Sequence, residues 1–347
     1  MVAVSPDHAQ GPTREGPSSN DEGDAFVGEY YDNLRLLSEG SVNRHFDAYT
    51  DIDWQSPEFA VIEDDERWIL PATDPLGGHP WYLAAPRDLQ IEIGRYRQAN
   101  VAKVGLQFEG ILVGGFMNYA TSLTNGDPEY RYCLHESAEE CNHMMMFQEM
   151  VNRVDRRAAG MNRVLRFLAP FIPLAAKGFP TLFFIGVLAG EEPIDHTQKA
   201  VLREGGNLHP IMRRVMQIHV AEEARHISFA HQWIERRVPR LGRAQRFLVS
   251  LALPIIMRVL ADAIMIPPKS FWERFDIPEQ VRKDLFWTGS RGRGLLTEVF
   301  ADVRMLADRA GLRTPLAKLV WRALLIDGRS SRFRSEPQRG PGQHIAA

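Results

Sequence analysis

Cysteine is nearly absent from this chain of 347 residues, which contains only Cys133 and Cys141. Both fall in one predicted helix, where their separation of eight residues amounts to about 12 Å, too far for a disulfide. With no further cysteine, a disulfide framework and a cysteine-bound iron–sulfur cluster are both excluded. We therefore expect a reducing, cytoplasmic setting.

A strong charge of one sign is also lacking. The net charge of −3 gives no electrostatic reason to expect a nucleic-acid partner or an anionic membrane. The N-terminus lacks the layout of a signal peptide. The most apolar stretch, Phe247 to Ile266, is long enough to span a membrane but contains Pro254, Arg258 and Asp262. We therefore expect a buried bundle helix there and no membrane span.

No alternating apolar pattern of convincing length indicates a strand, so the fold class is predicted to be all-α. Residues 1–24 are rich in proline, glycine, serine and aspartate and are predicted to be a disordered leader. Residues 327–347 are predicted to be a disordered basic tail. A single helical domain over 25–326 lies between them.

Four long helices are predicted within that domain, over about 88–123, 128–157, 179–204 and 209–237. Asp127-Pro128 and Gly205-Gly206 supply start and stop signals for two of them. An apolar segment over 161–176 is interrupted by two prolines and is expected to be broken.

The most informative motif is His219-x-x-x-Glu223-x-x-His226, in the last of these helices. Steps of four and seven residues return to nearly the same helix face, so the three side chains converge on one stripe. A second Glu-x-x-His pair, Glu140 and His143, lies upstream, and the chain has no third. Paired Glu-x-x-His motifs, with one extra glutamate from each of two other helices, are how four-helix bundles build di-iron carboxylate centres.

The extra glutamates are available on the other two helices. Glu109 interrupts an apolar helix face that includes Leu112 and Phe116, where an unpaired carboxylate would be costly. Glu191-Glu192 follows nine largely apolar residues. Only one of the two can point inward, and composition does not say which. Mixed carboxylate and imidazole ligation suits iron or manganese and leaves open positions for O₂.

With these motifs over about residues 90–270, the chain resembles the p-aminobenzoate N-oxygenases, di-iron enzymes that oxidise aryl amines. The resemblance implies a ferritin-like four-helix bundle with additional flanking helices, two iron ions as cofactor and O₂ as co-substrate. His219 matches the family's distinguishing third imidazole. The spacing to His219 in the family favours Glu192 over Glu191. The implied metal ligands are Glu109, Glu140, His143, Glu192, His219, Glu223 and His226.

The resemblance also implies a division of these ligands between the irons. One iron would take Glu109, Glu140 and His143 with a bridging acid. The other would take Glu192, His219, Glu223 and His226. Glu136 and Glu222 are further candidates, for hydrogen bonds to the ligands.

The implied activity is conversion of an amine to hydroxylamine, nitroso and nitro products. Because the sequence has no Gly-x-Gly-x-x-Gly fingerprint and no cluster cysteines, electrons would come from a separate reductase or ferredoxin, or in part from the substrate. The resemblance implies a homodimer. Two alternatives remain open: a di-iron hydroxylase or desaturase that acts on C–H bonds of an apolar substrate, and a non-enzymatic ferritin-like iron-handling protein.

Overall fold

The computed structural model describes residues 19–334 and 336, and within them the fold is all-α, as predicted. Four shorter 3₁₀ turns and one π-helical turn join or extend the helices. The helices are α1 Ser19–Asn43, α2 Pro80–Leu83, α3 Arg87–Ala120, α4 Pro128–Val154, α5 Arg163–Leu168, α6 Ala175–Gly178, α7 Pro180–Glu204, α8 Pro210–Arg237, α9 Arg243–Met265, α10 Lys269–Arg274, α11 Glu279–Lys283, α12 Ser290–Val299, α13 Ala301–Arg309 and α14 Pro315–Ala323.

The four predicted long helices are α3, α4, α7 and α8, and they form the central bundle. α3 packs along α4, and α7 packs along α8. Asp127 precedes α4 and Pro128 opens it, as the sequence predicted. α7 ends at Gly205, whose φ of +65° is the left-handed conformation that favours glycine at a helix end.

Both ends of the helical domain differ from expectation. Residues 1–18 of the predicted leader lie outside the described residues, but residues 19–24 form the first turns of α1. At the other end, Arg313 pairs with Asp327 at 2.7 Å, so the first residues of the predicted tail are tied to the body.

The segment predicted to be broken by proline is broken. α5 ends before Pro170, a 3₁₀ turn covers Ile172–Leu174, and α6 is a single turn. Proline lacks the backbone N–H that would continue the helical hydrogen bonds.

One close contact sets the spacing of α3 and α7 at the middle of the bundle. Gly190 lies against the ring of Phe108, and a Cβ at that glycine would come within 1.8 Å of a ring atom. Any larger residue would therefore push the two helices apart. A buried glutamate follows each of these two residues in the sequence: Glu109 follows Phe108 on α3, and Glu191 follows Gly190 on α7. The contact thus brings the helix segments that carry these two glutamates close together.

The buried apolar residues form two cores, one at each end of the bundle. On α4 one core ends at Cys133 and the other begins at Met146. On α8 the corresponding boundary residues are Ile218 and Ile227. The polar motifs identified from the sequence fall in the layer between the two cores.

α9 is the helix whose sequence is long and apolar enough to cross a membrane, by length and composition only. Its inner face is buried, and Arg258 pairs there with Asp262 at 2.9 Å. Its outer face exposes large apolar side chains, including Leu248 and Val259. The expectation of a buried helix therefore holds for one face only.

A buried polar network ties α1, α3, α4 and α8 together at the end of the bundle. Glu129 accepts hydrogen bonds from the hydroxyls of Tyr30 at 2.9 Å and Tyr119 at 2.6 Å. Arg236 donates to the same carboxylate at 3.0 Å, and Trp233 donates to the Tyr119 hydroxyl at 2.8 Å. The Glu129 carboxylate, on α4, is therefore the common acceptor for side chains of three other helices.

We expect Glu129→Ala to lower the free energy of unfolding by about 3 kcal/mol, because it leaves the buried Arg236 guanidinium and two tyrosine hydroxyls without their acceptor. Denaturant titration followed by circular dichroism measures the change. Glu273→Ala, which removes an exposed ion pair with Lys269, is the control and should change stability by less than about 0.5 kcal/mol. Equal effects of the two substitutions would contradict this role.

Candidate metal centre

Two groups of buried side chains face each other between the four bundle helices. Within each group, one nitrogen or oxygen atom from every member lies within 4.8 Å of the others. The first group is Glu109, His143, His219 and Glu223, and the second is Glu136, Glu140, Glu191 and His226.

Glu140 and Glu223 connect the two groups. The Glu140 carboxylate lies 3.1 Å from Nδ1 of His143 and 3.2 Å from Nδ1 of His226. The Glu223 carboxylate lies 3.4 Å and 3.5 Å from the same two nitrogens. Two carboxylates that each reach an imidazole of both groups have the arrangement of bridging ligands in a dinuclear site.

The third imidazole belongs to the first group. Nε2 of His219 lies 3.1 Å from Glu109 and 3.3 Å from Glu223. Its ring centre is 4.7 Å from that of His143, whereas the His143 and His226 rings are 5.9 Å apart. The first position therefore has two imidazoles and the second has one.

Many polar atoms of the cluster are buried without a hydrogen-bond partner among the described residues. Both oxygens of Glu136 and of Glu191, and one oxygen each of Glu109, Glu140 and Glu223, are in this condition. Buried carboxylate oxygens without partners are costly unless a cation binds them. Oxygen and imidazole donors that converge in this way fit two divalent metal ions such as iron.

Burial acts strongly on the protonation of these groups. It raises the pKa of the Glu109, Glu136 and Glu191 carboxyls well above the ordinary value. It lowers the pKa of His219 to about 4, so this imidazole is neutral at pH 7 and keeps a lone pair for a metal. A divalent cation beside these carboxyls would oppose the effect of burial, because a nearby positive charge favours the ionised form.

Two further carboxylates orient the imidazoles of the Glu-x-x-His pairs. Nε2–H of His143 donates to Glu222 at 2.9 Å, and Nε2–H of His226 donates to Glu139 at 2.8 Å. Because a carboxylate accepts, Nε2 carries the hydrogen and Nδ1 faces the centre. Each helix thus supplies the carboxylate that orients the histidine of the other helix.

Arg225 lies beside both of these carboxylates. It donates to Glu139 at 2.8 Å and comes within 3.6 Å of Glu222. Although burial opposes ionisation, the hydrogen bond from His226 and the Arg225 guanidinium lower the pKa of Glu139 to about 2. The acceptor of the His226 hydrogen bond is therefore ionised at neutral pH.

Six of the seven predicted ligands converge at this centre, and Glu192 does not. Its carboxylate lies 2.6 Å from Nε2 of His231 and belongs to neither group. Glu191 occupies the position expected for Glu192. Consecutive helix residues point about 100° apart, and the Phe108–Gly190 contact fixes which of the two faces the centre.

The predicted division of ligands also changes. His219 lies with Glu109 and His143 rather than with His226. Glu136, expected to accept a hydrogen bond from an imidazole, instead places its oxygens among the candidate ligands.

The role of Glu139 was missed from the sequence, although a signal was present. Both motifs read Glu-Glu-x-x-His, as Glu139-Glu140-x-x-His143 and Glu222-Glu223-x-x-His226. The first glutamate of each pair orients a histidine and the second faces the centre.

We expect Glu191→Gln to reduce iron binding from about two ions per chain to about one, because the second position loses its terminal carboxylate. Glu192→Gln is the matched control and should keep about two ions per chain. Iron content after anaerobic loading and desalting measures both. If Glu192→Gln lost one ion per chain and Glu191→Gln kept both, Glu192 would be the ligand instead.

Removing either orienting carboxylate should weaken metal binding without removing a ligand. Glu139→Gln and Glu222→Gln should each lower metal affinity by about 10- to 100-fold. Competition with a chelator measures the affinity. Glu149→Gln, on the same helix as Glu139 but paired with Arg153 away from the centre, should leave it unchanged. Full affinity in both orienting variants would contradict the role assigned to them.

Comparison with known proteins agrees with this geometry. The family model described as p-aminobenzoate N-oxygenase AurF matches residues 28–311. Two uncharacterized proteins, from Mycobacterium bovis and from Mycobacterium tuberculosis strain H37Rv, are each 65% identical over 319 residues, which cover 92% of this chain and 93% of theirs. An uncharacterized protein from M. tuberculosis strain CDC 1551 is 64% identical over the same length. No solved structure gives a significant match.

The family match extends over most of the chain and includes every residue of the two candidate metal positions. This chain therefore belongs to the AurF family of p-aminobenzoate N-oxygenases, a family of helical di-iron oxygenases.

Proposed function

We propose that this protein is an O₂-dependent di-iron monooxygenase that oxidises the nitrogen of an amine. The observation that carries the proposal is the third imidazole. His219 joins Glu109 and His143 in the first position, and this extra histidine is the feature by which the sequence resembles the N-oxygenases. The family match supports the same activity.

The residues of the centre suit this reaction. Two bound iron ions would supply the site at which O₂ is reduced and an oxygen atom is passed to the substrate. Glu140 and Glu223 would hold the two ions together, and the unshared carboxylates would leave room for O₂. For the first step, RNH₂, O₂, two electrons and two protons give RNHOH and water. The sequence has no cofactor fingerprint of its own, so we propose that a separate reductase or ferredoxin supplies the electrons.

We propose that the substrate enters a largely apolar pocket between α3, α7, α8 and α9. Met216, in its lining, is three residues before His219, and Ile194 is three residues after Glu191. At the helical rise per residue, both lie within about 5 Å of the centre along their helices. We therefore propose that the pocket lies beside the centre, at the level of both metal positions.

The size and polarity of this pocket favour a flat apolar molecule with a hydrogen-bond donor. Its volume is about 100 Å³, less than the ~150 Å³ of a dry cavity that holds benzene. An aromatic ring would therefore need Met212 and Met216 to move, which flexible methionines allow. The buried Oε1 of Gln198 has no partner among the described residues and can accept from an N–H or O–H group.

A second candidate is hydroxylation or desaturation of C–H bonds, which the apolar lining also favours. Val101, Val201, Ile264 and Met265 would suit a hydrocarbon as well as an aryl amine. The product distinguishes the two activities.

The test is incubation of the iron-loaded protein with a reductant, ¹⁸O₂ and a panel of aryl amines and alkyl-substituted arenes. N-oxygenation predicts ¹⁸O in hydroxylamine, nitroso or nitro products, detected by mass spectrometry. Glu140→Gln, which removes a candidate bridging ligand, should lower the rate by at least ~100-fold. Label found only on carbon would replace the proposal with C–H hydroxylation. No turnover of any amine by fully loaded protein would contradict N-oxygenation.

A further inference from the structure

The residues from Arg163 to Leu182, which include α5, α6 and the first turn of α7, form an exposed apolar surface, here called the 163–182 surface. Five of its apolar side chains are more than half exposed: Val164 at 70%, Phe167 at 71%, Phe171 at 58%, Leu174 at 63% and Phe179 at 64%. The Phe171 ring lies 6.2 Å from that of Phe167. A concentration of large apolar side chains of this kind marks an interaction site.

The charges on this surface are all positive. Arg163, Arg166 and Lys177 are exposed, and no acidic residue occurs between Asp155 and Glu191. None of these three cations forms an ion pair within residues 19–334 and 336. The surface therefore combines exposed aromatic and aliphatic groups with uncompensated positive charge.

The part of the bundle beneath the surface adds no negative charge. Pro173 packs against Gly114 of α3, and residues 110–126 contain no charged side chain. The positive potential at the surface is thus not cancelled from below. The net charge of −3 for the whole chain conceals this local asymmetry.

We propose that the 163–182 surface binds the interfacial region of an anionic lipid bilayer. Phenylalanine and leucine side chains enter the boundary between headgroups and acyl chains, and arginine and lysine contact anionic headgroups. The binding is peripheral: the short helices lie on the membrane and do not cross it.

Charge complementarity favours a bilayer over a second copy of the chain. A two-fold symmetric interface would place this surface against itself. Arg163, Arg166 and Lys177 of one copy would then face the same cations of the other, with no acid on the surface to separate them. An anionic bilayer satisfies both the apolar and the cationic groups.

The surface is directly connected to the metal centre. α7 begins in it, and nine residues separate Leu182 from Glu191. That is about 14 Å of helix. Docking at the 163–182 surface would therefore hold the centre close to the bilayer.

The test is co-sedimentation of the iron-loaded full chain with vesicles of phosphatidylcholine alone and of phosphatidylcholine with phosphatidylglycerol. We expect binding to the anionic vesicles that weakens as salt is raised. Phe167→Ser/Phe171→Ser and Arg163→Glu/Arg166→Glu should each weaken it by about tenfold or more. The controls Leu83→Ser and Lys269→Glu change equally exposed residues elsewhere and should bind like the original chain.

The same preparations separate this proposal from the proposed function. All four variants should retain their iron and their activity on a soluble amine, because none touches the centre. No binding to either vesicle, or equal binding by all variants, would overturn the proposal. So would a dimer in analytical ultracentrifugation that becomes a monomer in Phe167→Ser/Phe171→Ser, which would assign the surface to contact between copies.

Discussion

The structure depends on burying a layer of ionisable groups in the middle of an apolar bundle. Five carboxylates and three imidazoles of the centre are all buried. The free-energy cost of removing so many ionisable groups from water is far greater than the stabilisation from the few hydrogen bonds and ion pairs among them. Two divalent cations are the natural compensation, since they would bind the buried carboxylate oxygens that have no partner and the imidazole nitrogens that face the centre. The two apolar cores on either side then exclude water from this layer.

The duplicated Glu-Glu-x-x-His motif makes this layer rigid. On each of α4 and α8 the second glutamate and the histidine face the centre, while the first glutamate reaches across to the other helix. Both helices must therefore be in register for either histidine to be oriented. Arg225 lies between the two orienting carboxylates, and its guanidinium helps to lower the pKa of Glu139. Family membership adds that such a centre serves oxygen chemistry, and the substrate-level activity remains our proposal.

Much of this arrangement is visible in the sequence, because helical periodicity and ligand spacing are local properties. The four bundle helices and six of the seven predicted ligands follow from them. The choice between Glu191 and Glu192 does not, since both are buried and only the rotation of α7 separates them. That rotation is set by the Phe108–Gly190 contact between distant parts of the chain. The role of Glu139 likewise depends on which helix packs beside α4, and no local sequence pattern predicts that neighbour.

The central claim is that two metal ions bind between α3, α4, α7 and α8, bridged by Glu140 and Glu223. Anomalous diffraction at the iron edge, from crystals of the iron-loaded protein, tests it most directly. The account predicts two anomalous peaks about 3.5–4 Å apart, one beside His143 and His219 and the other beside His226 and Glu191. A single peak, or peaks outside this layer, would contradict it.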